Sequence, residues 1–406
     1  MEEFPRPMRN ALVLLAAALT AACSTLPGRQ AAVPPPAHAA HAWVTFDSGE
    51  ITGSGVSGLA DRAGGRALTL DDPVRIASIS KLVVALGAMR LVEQGKLDLD
   101  EDVSKHLGWK LRNPAFPDRP ITLRLLLSHR SSLRDGINYA LPLGTSVEKA
   151  VEAPEAWDKE HPAGSFFRYS NLGFPVVASV MERATGERFD RLMERLVLRP
   201  LDLDACFNWT TCSGAAVARA GVLYAPDGTV VRDDLKGARP PCPVVPAADG
   251  GCDLSAYSLG SNGALFSPQG GLRISVRDLA KVGGLLLRQG RLPDGSRFLR
   301  EERMAEMESL HWRFDGDNGD TEGSFYCGYG LAVQILAQCA PKDDPFADGK
   351  PRLGHAGDAY GLRSGLWIDR ATGRGIAYFA TGLGDDPPRG RSAYRAIEEW
   401  LSGKSR

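Results

Sequence analysis

A serine and a lysine three residues apart stand at the start of an apolar segment of the sequence. Ser78 and Lys81 lie in the run from Ile76 to Leu86, and residues three apart share one face of a helix. Burial would disfavour the charged lysine and lower its pKa, and a neutral amine beside a hydroxyl can accept its proton. The free N–H groups of a helix start would also stabilise a developing oxyanion. The pair therefore predicts a serine nucleophile with a lysine base.

The same spacing also has a purely structural interpretation. Ser78 could cap the helix while Lys81 extends to solvent. Ser146 and Lys149 repeat the S-x-x-K pattern, and there a capping serine before an exposed, charged helix is the better account. Chemistry is favoured at Ser78 because partner motifs follow downstream and because the helix behind it is apolar on nearly all sides, which is typical of a core element. Its apolar positions are 79, 82, 83, 84, 86, 89, 91 and 92.

A tyrosine and an asparagine two residues apart form a second candidate motif. Tyr169 and Asn171 follow two phenylalanines and precede Leu172-Gly173. A tyrosine near a lysine can relay a proton to a leaving group, and an asparagine can donate to a substrate carbonyl or hold the lysine. Taken alone, the pair is more typical of a buried tyrosine and a turn-forming asparagine.

A third candidate motif lies in an extended segment near the C-terminus. His355-Ala356-Gly357-Asp358 continues a predicted strand. Gly357 would let a substrate approach the backbone, and the Asp358 N–H could donate to an oxyanion. His106-Leu107-Gly108 has the same H-x-G spacing, but it precedes the tyrosine motif and lies among predicted helices, so we discount it.

Together the three motifs resemble those of the serine β-lactamase and penicillin-binding protein family. The closest resemblance is to its class C β-lactamase-like branch, which also holds D-aminopeptidases, D-alanyl-D-alanine carboxypeptidases and family VIII esterases. Further similar segments are Val74 to Lys81, Leu91 to Asp100, Leu125 to His129, and Pro268 to Leu272. The resemblance covers roughly residues 45–400. It implies an α/β (α+β) fold, in which helices flank an antiparallel sheet built from both chain ends and a mostly helical domain is inserted.

The resemblance also implies a role for each motif residue. Ser78 would be acylated, with Lys81 as its base partner. Tyr169 would activate Ser78 or the deacylating water, and Asn171 would hold the substrate and the lysine. The N–H groups of Ser78 and Asp358 would form the oxyanion hole.

His355 occupies a position at which the β-lactamases carry a lysine. A neutral imidazole is a weak anchor for an anion, and Asp358 adds negative charge beside it. We therefore expect a serine hydrolase that acts on an ester or a D-amino-acid peptide or amide. The alternatives are a β-lactamase or D-alanyl-D-alanine carboxypeptidase proper and, in another class, a non-hydrolytic penicillin-binding or sensing lipoprotein. A Ser-His-Asp α/β-hydrolase is disfavoured because the sequence has no G-x-S-x-G.

Net charge and the distribution of histidines limit the classes of partner that we expect for this protein. The 406 residues carry a net charge of −1, so no basic field predicts nucleic-acid binding. The seven histidines are scattered, without H-E-x-x-H or C-x-x-C, and we expect no metal and no cofactor. The expected partner is a small-molecule or peptide substrate, and the expected state is a monomer.

The N-terminal residues 1–23 are typical of an export signal. Arg6 and Arg9 precede an apolar run that ends in small residues before Cys23, an arrangement that resembles a bacterial lipoprotein signal. Cleavage near the alanines without lipidation is the alternative. Residues 24–41 would then form an Ala/Pro tether. We expect a periplasmic protein of the bacterial cell envelope whose only membrane contact is a lipid on Cys23.

The remaining cysteines predict disulfides. Their number is even after a secretory signal, which fits an oxidising compartment. Six cysteines allow 15 connectivities; we expect the three local pairs because each closes a short loop, with free buried thiols as the alternative. The pairs are Cys206 with Cys212, Cys242 with Cys252, and Cys327 with Cys339.

The order of predicted elements suggests two domains. Residues 42–95 and 257–406 would form the sheet domain with Ser78, Lys81 and His355, and residues 96–256 the helical domain with Tyr169 and Asn171. Within the latter, the irregular, Cys-rich segment 204–256 could cover the pocket or dock a partner. The patterns also predict one helix that runs from Ser78 to about Gln94 and a separate helix over 147–157. A strand is predicted over 329–336.

Overall fold

Residues from both ends of the described part of the chain form one sheet, and the residues between them supply most of the helices. The computed structural model describes residues 35–405. Its strands are β1 (Ala40–Phe46), β2 (Ile51–Ser57), β3 (Leu59–Asp61), β4 (Arg66–Ala67), β5 (Val74–Arg75), β6 (Cys206–Phe207), β7 (Leu223–Tyr224), β8 (Val230–Arg232), β9 (Leu272–Ile274), β10 (Trp312–Arg313), β11 (Gly328–Tyr329), β12 (Gln334–Ile335), β13 (Leu353–Ala359), β14 (Leu362–Asp369) and β15 (Arg374–Thr381). Its α-helices are α1 (Ile79–Glu93), α2 (Ser104–Leu107), α3 (Leu123–Leu127), α4 (Val147–Ala150), α5 (Gly173–Thr185), α6 (Phe189–Met193), α7 (Gly214–Ala218), α8 (Val276–Leu287), α9 (Glu301–Glu308) and α10 (Ala396–Ser402).

The main sheet has eight strands in the order β10-β11-β12-β13-β14-β15-β1-β2. Every pairing in it is antiparallel, and β1 lies beside β15, so the first and last strands of the described residues are neighbours. All eight residues of β14 are buried. Leu366 packs into the core that contains α8, whereas its neighbour Trp367 packs with α10 on the opposite face. The predicted antiparallel sheet flanked by helices is confirmed.

The helix that follows Ser78 is a core element, as its sequence predicts. Thirteen residues of α1 are buried, from Ile79 to Met89 together with Leu91 and Val92. The helix packs against β13 and β14 of the sheet on one side and against α5 and α9 on others. Its first turn therefore lies inside the molecule, beside the strand that carries the third motif.

Two element boundaries predicted from the sequence are wrong. The strand predicted over 329–336 is divided, because Gly330 N–H donates to Val333 O at 2.7 Å and turns the chain between β11 and β12. The helix predicted over 147–157 ends at Ala150 and is followed by a 3₁₀ turn, Pro154–Ala156. Proline at the start of that turn lacks the N–H that a continuing helix needs.

All three predicted disulfides are present in the structure. They join Cys206 to Cys212, Cys242 to Cys252 and Cys327 to Cys339. The segment 204–256 is largely irregular, with only short elements between β6 and a 3₁₀ turn at Leu254–Ala256. The division into a sheet domain and a helical domain stays a prediction, as does the monomeric state.

The predicted signal sequence, Cys23 and most of the tether lie outside the described residues. From residue 35 to residue 405, no helix has both the length and the apolar character that a membrane crossing requires.

Candidate active site

Ser78 follows a tight bend between β5 and α1. Ala77 has a φ of +55°, a left-handed conformation that is uncommon outside glycine and is often found at functional sites. Hydroxyl groups hold the bend from both sides: Ser364 donates to Ile76 O at 2.8 Å, and Ser80 donates to Ala77 O at 2.7 Å. The bend exposes the Ser78 side chain to the cavity while α1 remains buried.

The structure separates the two S-x-x-K pairs as the sequence suggests. The Ser78 hydroxyl makes no capping hydrogen bond to α1, whereas Ser146 accepts from Lys149 N–H and caps α4. Lys81 is fully buried, so the alternative in which it extends to solvent is wrong. Ser146 is a helix cap beside an exposed lysine.

The Lys81 amine lies at the centre of the site. Its Nζ is 3.0 Å from Ser78 Oγ, 2.8 Å from Asn171 Oδ1 and 2.8 Å from Gln269 O. Burial lowers the pKa of Lys81 to about 7, against the opposing effect of Asp135 and Glu322. A neutral amine that donates to Asn171 and Gln269 directs its lone pair at Ser78, which is the arrangement a general base needs.

Asp135 holds the loop that carries Asn171. Its carboxylate accepts from Asn171 N–H at 2.9 Å, from Asn171 Nδ2 at 2.8 Å and from Leu172 N–H at 2.9 Å, and Ser170 Oγ donates to it at 3.1 Å. Because the carboxylate takes the amide Nδ2, the amide oxygen of Asn171 must face Lys81. Asp135 is therefore a positioning residue that sequence reasoning missed, since a single aspartate in a loop has no spacing signal.

Tyr169 lies against the lysine and the serine. Its ring centroid is 4.8 Å from Lys81 Nζ, and its ring stacks on Tyr326 at 4.7 Å. Burial raises the pKa of Tyr169, with the Ser78 and Tyr326 hydroxyls acting in the opposite direction. The Tyr169 hydroxyl is buried without a well-aligned hydrogen bond among the residues described. A protonated phenol at this position can pass on a proton but is a poor resting base.

His355 is near the other motif residues but does not face the cavity. Its Nδ1–H donates to Ala356 O at 2.5 Å, and its Nε2 accepts from Tyr329 Oη at 2.8 Å. Tyr329 is also 3.2 Å from His129 Nε2. Burial lowers the pKa of His355 to about 3, so the imidazole is neutral at pH 7. Both ring nitrogens are thus used inside the protein, and the predicted part of His355 in substrate binding stays a prediction.

Gly357 brings β13 against the bend at Ser78. A Cβ at this position would lie 2.5 Å from Ile76 O and 2.3 Å from Ser364 Oγ. The absence of a side chain therefore lets β13 pack against this bend. Gly357 also lines the cavity, and an approach by substrate to its backbone stays a prediction. Asp358 follows at the cavity wall, and its carboxylate pairs with Arg363 at 2.8 Å. The oxyanion role of its N–H stays a prediction.

The cavity above Ser78 has a volume of about 1140 Å³, above the usual range for small-molecule sites of roughly 300–1000 Å³. Ser78, Tyr169 and Asn171 line it, and the Cys-rich segment 204–256 supplies much of the remaining wall, including Trp209 and Val244. This segment therefore shapes the pocket, one of its two predicted roles. Across residues 35–405, no three His, Cys, Asp or Glu side chains are grouped so that they could hold a metal ion.

Comparison with known proteins identifies a family and several relatives. The model of the Beta-lactamase family matches residues 32–399. Esterase EstB of Burkholderia gladioli is 33% identical over 177 residues, which cover 39% of this chain and 44% of EstB. The D-alanyl-D-alanine-carboxypeptidase/endopeptidase AmpH of Escherichia coli (strain K12) is 33% identical over 140 residues, 33% of this chain and 36% of AmpH. The matches thus span less than half the length of these two relatives.

The solved structure of EstCE1, described as a hydrolase with promiscuous acyltransferase activity, has the same fold. It superposes with a TM-score of 0.65 and 24% identity, covering 90% of this chain and 94% of that one.

Proposed function

Because the chain belongs to the β-lactamase family of serine hydrolases, we propose that it cleaves an ester or a D-amino-acid peptide or amide bond through an acyl-enzyme on Ser78. The observation that carries the proposal is the buried Lys81 amine, 3.0 Å from Ser78 Oγ and with a pKa lowered to about 7. A buried lysine of ordinary structural use would be paired with a carboxylate. Here both protein acceptors are neutral, Asn171 Oδ1 and Gln269 O.

The first half-reaction follows from this geometry. The Lys81 lone pair takes the Ser78 proton as Oγ bonds to the substrate carbonyl carbon. The carbonyl oxygen becomes an oxyanion stabilised by the N–H groups of Ser78 and Asp358. The bond to the leaving group then breaks, and the leaving group receives a proton through the Tyr169 hydroxyl beside Lys81. Water next attacks the Ser78 ester, and the same groups return the proton to Oγ as the acid leaves.

The position of His355 supports an ester or peptide over a β-lactam. A buried imidazole with a pKa near 3 places no cation at that end of the motif. The names of EstB and AmpH point to ester and D-alanyl-D-alanine bonds as the substrates of these relatives. We propose both bond types as candidate substrates of this chain.

The test is a rate panel on purified protein, with short acyl 4-nitrophenyl esters, D-amino-acid amides and a chromogenic cephalosporin. We expect ester or D-amide hydrolysis and little turnover of the cephalosporin. Ser78→Ala should abolish hydrolysis while the melting temperature is kept, and the matched control Ser146→Ala should leave the rate unchanged. Retention of most of the rate in Ser78→Ala, or its loss in Ser146→Ala, would contradict the assignment.

We also propose export to the bacterial cell envelope and a lipid anchor on Cys23. Three disulfides in residues 35–405 support an extracytoplasmic location. The full chain produced in a Gram-negative host should sediment with membranes, and Cys23→Ser should release it in soluble form. Equal membrane association of both proteins would refute the anchor.

A further inference from the structure

Two arginines face each other across the small sheet next to the nucleophile, and only one of them is satisfied. Arg75 in β5 pairs directly with Arg273 in β9, so both side chains lie on one face. Arg273 donates to Asp233 at 2.8 and 3.2 Å, to Asn208 Oδ1 at 2.6 Å and to Gly271 O at 2.8 Å. The charge of Arg273 is therefore fully compensated inside the protein.

Arg75 is buried without such a partner. Only 8% of the residue is exposed, and its Nε is buried with no hydrogen bond to any residue between 35 and 405. Its guanidinium lies over the ring of Tyr360, 4.9 Å from Cζ to the ring centroid. The charge of Asp233 also acts on it, but that carboxylate is hydrogen-bonded to Arg273. Burial lowers the pKa of Arg75 to about 10, so the guanidinium is still a cation at pH 7. A buried guanidinium whose N–H donors lack an acceptor destabilises the folded protein unless a ligand supplies the acceptor.

A second guanidinium reaches the same tyrosine from the Cys-rich segment. Arg232, at the end of β8, lies 4.6 Å from the Tyr360 ring centroid and donates to its hydroxyl at 3.2 Å. Within the described chain it has no ion pair either. The two acids that follow it in the sequence have other partners: Asp233 pairs with Arg273, and Asp234 lies 3.9 Å from Lys236. Arg75, Arg232 and Tyr360 all line the cavity that contains Ser78.

We propose that Arg75 and Arg232 form an anion subsite that binds a carboxylate of the substrate in the Ser78 cavity. A guanidinium offers parallel N–H donors that match the two oxygens of a carboxylate. Both guanidinium groups lie over the ring of Tyr360, which holds each of them by a cation–π contact. The subsite deepens the proposed function, on which it rests for the claim that the bound carboxylate belongs to a molecule cleaved at Ser78. It also gives the segment 204–256 a specificity role, because Arg232 belongs to it.

The test compares two esters that differ in one charge, 4-nitrophenyl glutarate and 4-nitrophenyl pentanoate. A third ester, 3-butyryloxybenzoate, carries the carboxylate on the leaving group and shows on which side the anion lies. We expect kcat/KM for a carboxylate ester to fall by roughly tenfold or more in Arg232→Gln, the loss of one charge-assisted hydrogen bond. The neutral ester should change by less than about twofold. Arg232 is exposed, so its variant should fold; Arg75→Gln should then show the same selective loss.

Arg277→Gln is the matched control, because it removes one positive charge from an exposed ion pair with Asp71 and lies outside the cavity. It should leave the ratio between charged and neutral esters unchanged. Binding of the same charged ester to Ser78→Ala protein, measured by calorimetry, separates the two proposals because it needs no turnover. Selective loss of binding in Ser78→Ala/Arg232→Gln supports the subsite even if Ser78 proves not to be the nucleophile. Equal losses for charged and neutral esters, or no loss in Arg232→Gln, would overturn it.

Discussion

The lowered pKa of Lys81 makes a quantitative prediction about the pH dependence of acylation. With its ordinary pKa of 10.5, roughly one amine in 3000 would be neutral at pH 7, whereas with a pKa of about 7 half of them are. Burial of Lys81 thus raises the fraction of competent base by a factor on the order of 10³. Because the neutral amine is the active form, kcat/KM should rise with pH along a limb of slope one and level off above a midpoint near pH 7.

The assay is kcat/KM for a neutral ester between pH 5 and pH 9 at constant ionic strength. Glu322 needs a control, because burial and neighbouring carboxylates raise its pKa to about 7 as well, and coupled groups share their titration steps. Glu322→Gln removes this group together with a negative charge that raises the pKa of Lys81. The rising limb should therefore persist in Glu322→Gln and move to lower pH. A limb that disappears in this variant, or a midpoint above pH 9 in the unmodified protein, would refute Lys81 as the neutral base.

Two further substitutions test the contacts that position the catalytic residues. Asp135→Asn replaces an acceptor with a donor opposite Asn171 Nδ2, and each lost charge-assisted hydrogen bond is worth about 1–3 kcal/mol; we expect kcat/KM to fall by at least tenfold, and an unchanged rate would remove Asp135 from the account. Gly357→Ala places a Cβ 2.3 Å from Ser364 Oγ, and such overpacking costs about 1–3 kcal/mol. Gly357→Ala should therefore lower both the melting temperature and the rate of ester hydrolysis. Gly403→Ala, whose Cβ would meet no atom within 4 Å, should change neither.

Features that depend on residues close together in the sequence could be predicted. The apolar run after Ser78 is long enough to define a buried helix, and α1 matches it closely. The capping role of Ser146 follows from purely local chemistry. The local disulfides also depend on short loops, which the spacing of the cysteines shows directly.

Features that depend on contacts between distant segments could not be predicted in this way. The turn that divides β11 from β12 is stabilised by Ala332 N–H, which donates to Leu127 O in a helix some 200 positions earlier. The direction of the His355 ring is set by Tyr329, and the role of Asp135 is set by a loop 36 residues away. None of these partners is marked by spacing or periodicity, so only the folded chain brings them into view.

The most direct test of the central claim is to measure where, and for how long, the protein is acylated. The protein is mixed with an excess of a slowly turned-over ester, quenched in acid at intervals, and analysed by intact mass and by peptide mapping. We predict one acyl group per chain on the peptide that contains Ser78, rising and then decaying as substrate is used up, with no adduct in Ser78→Ala. An adduct that never decays would indicate a sensor in place of a hydrolase. An adduct on another residue, or hydrolysis without any adduct on Ser78, would contradict the account.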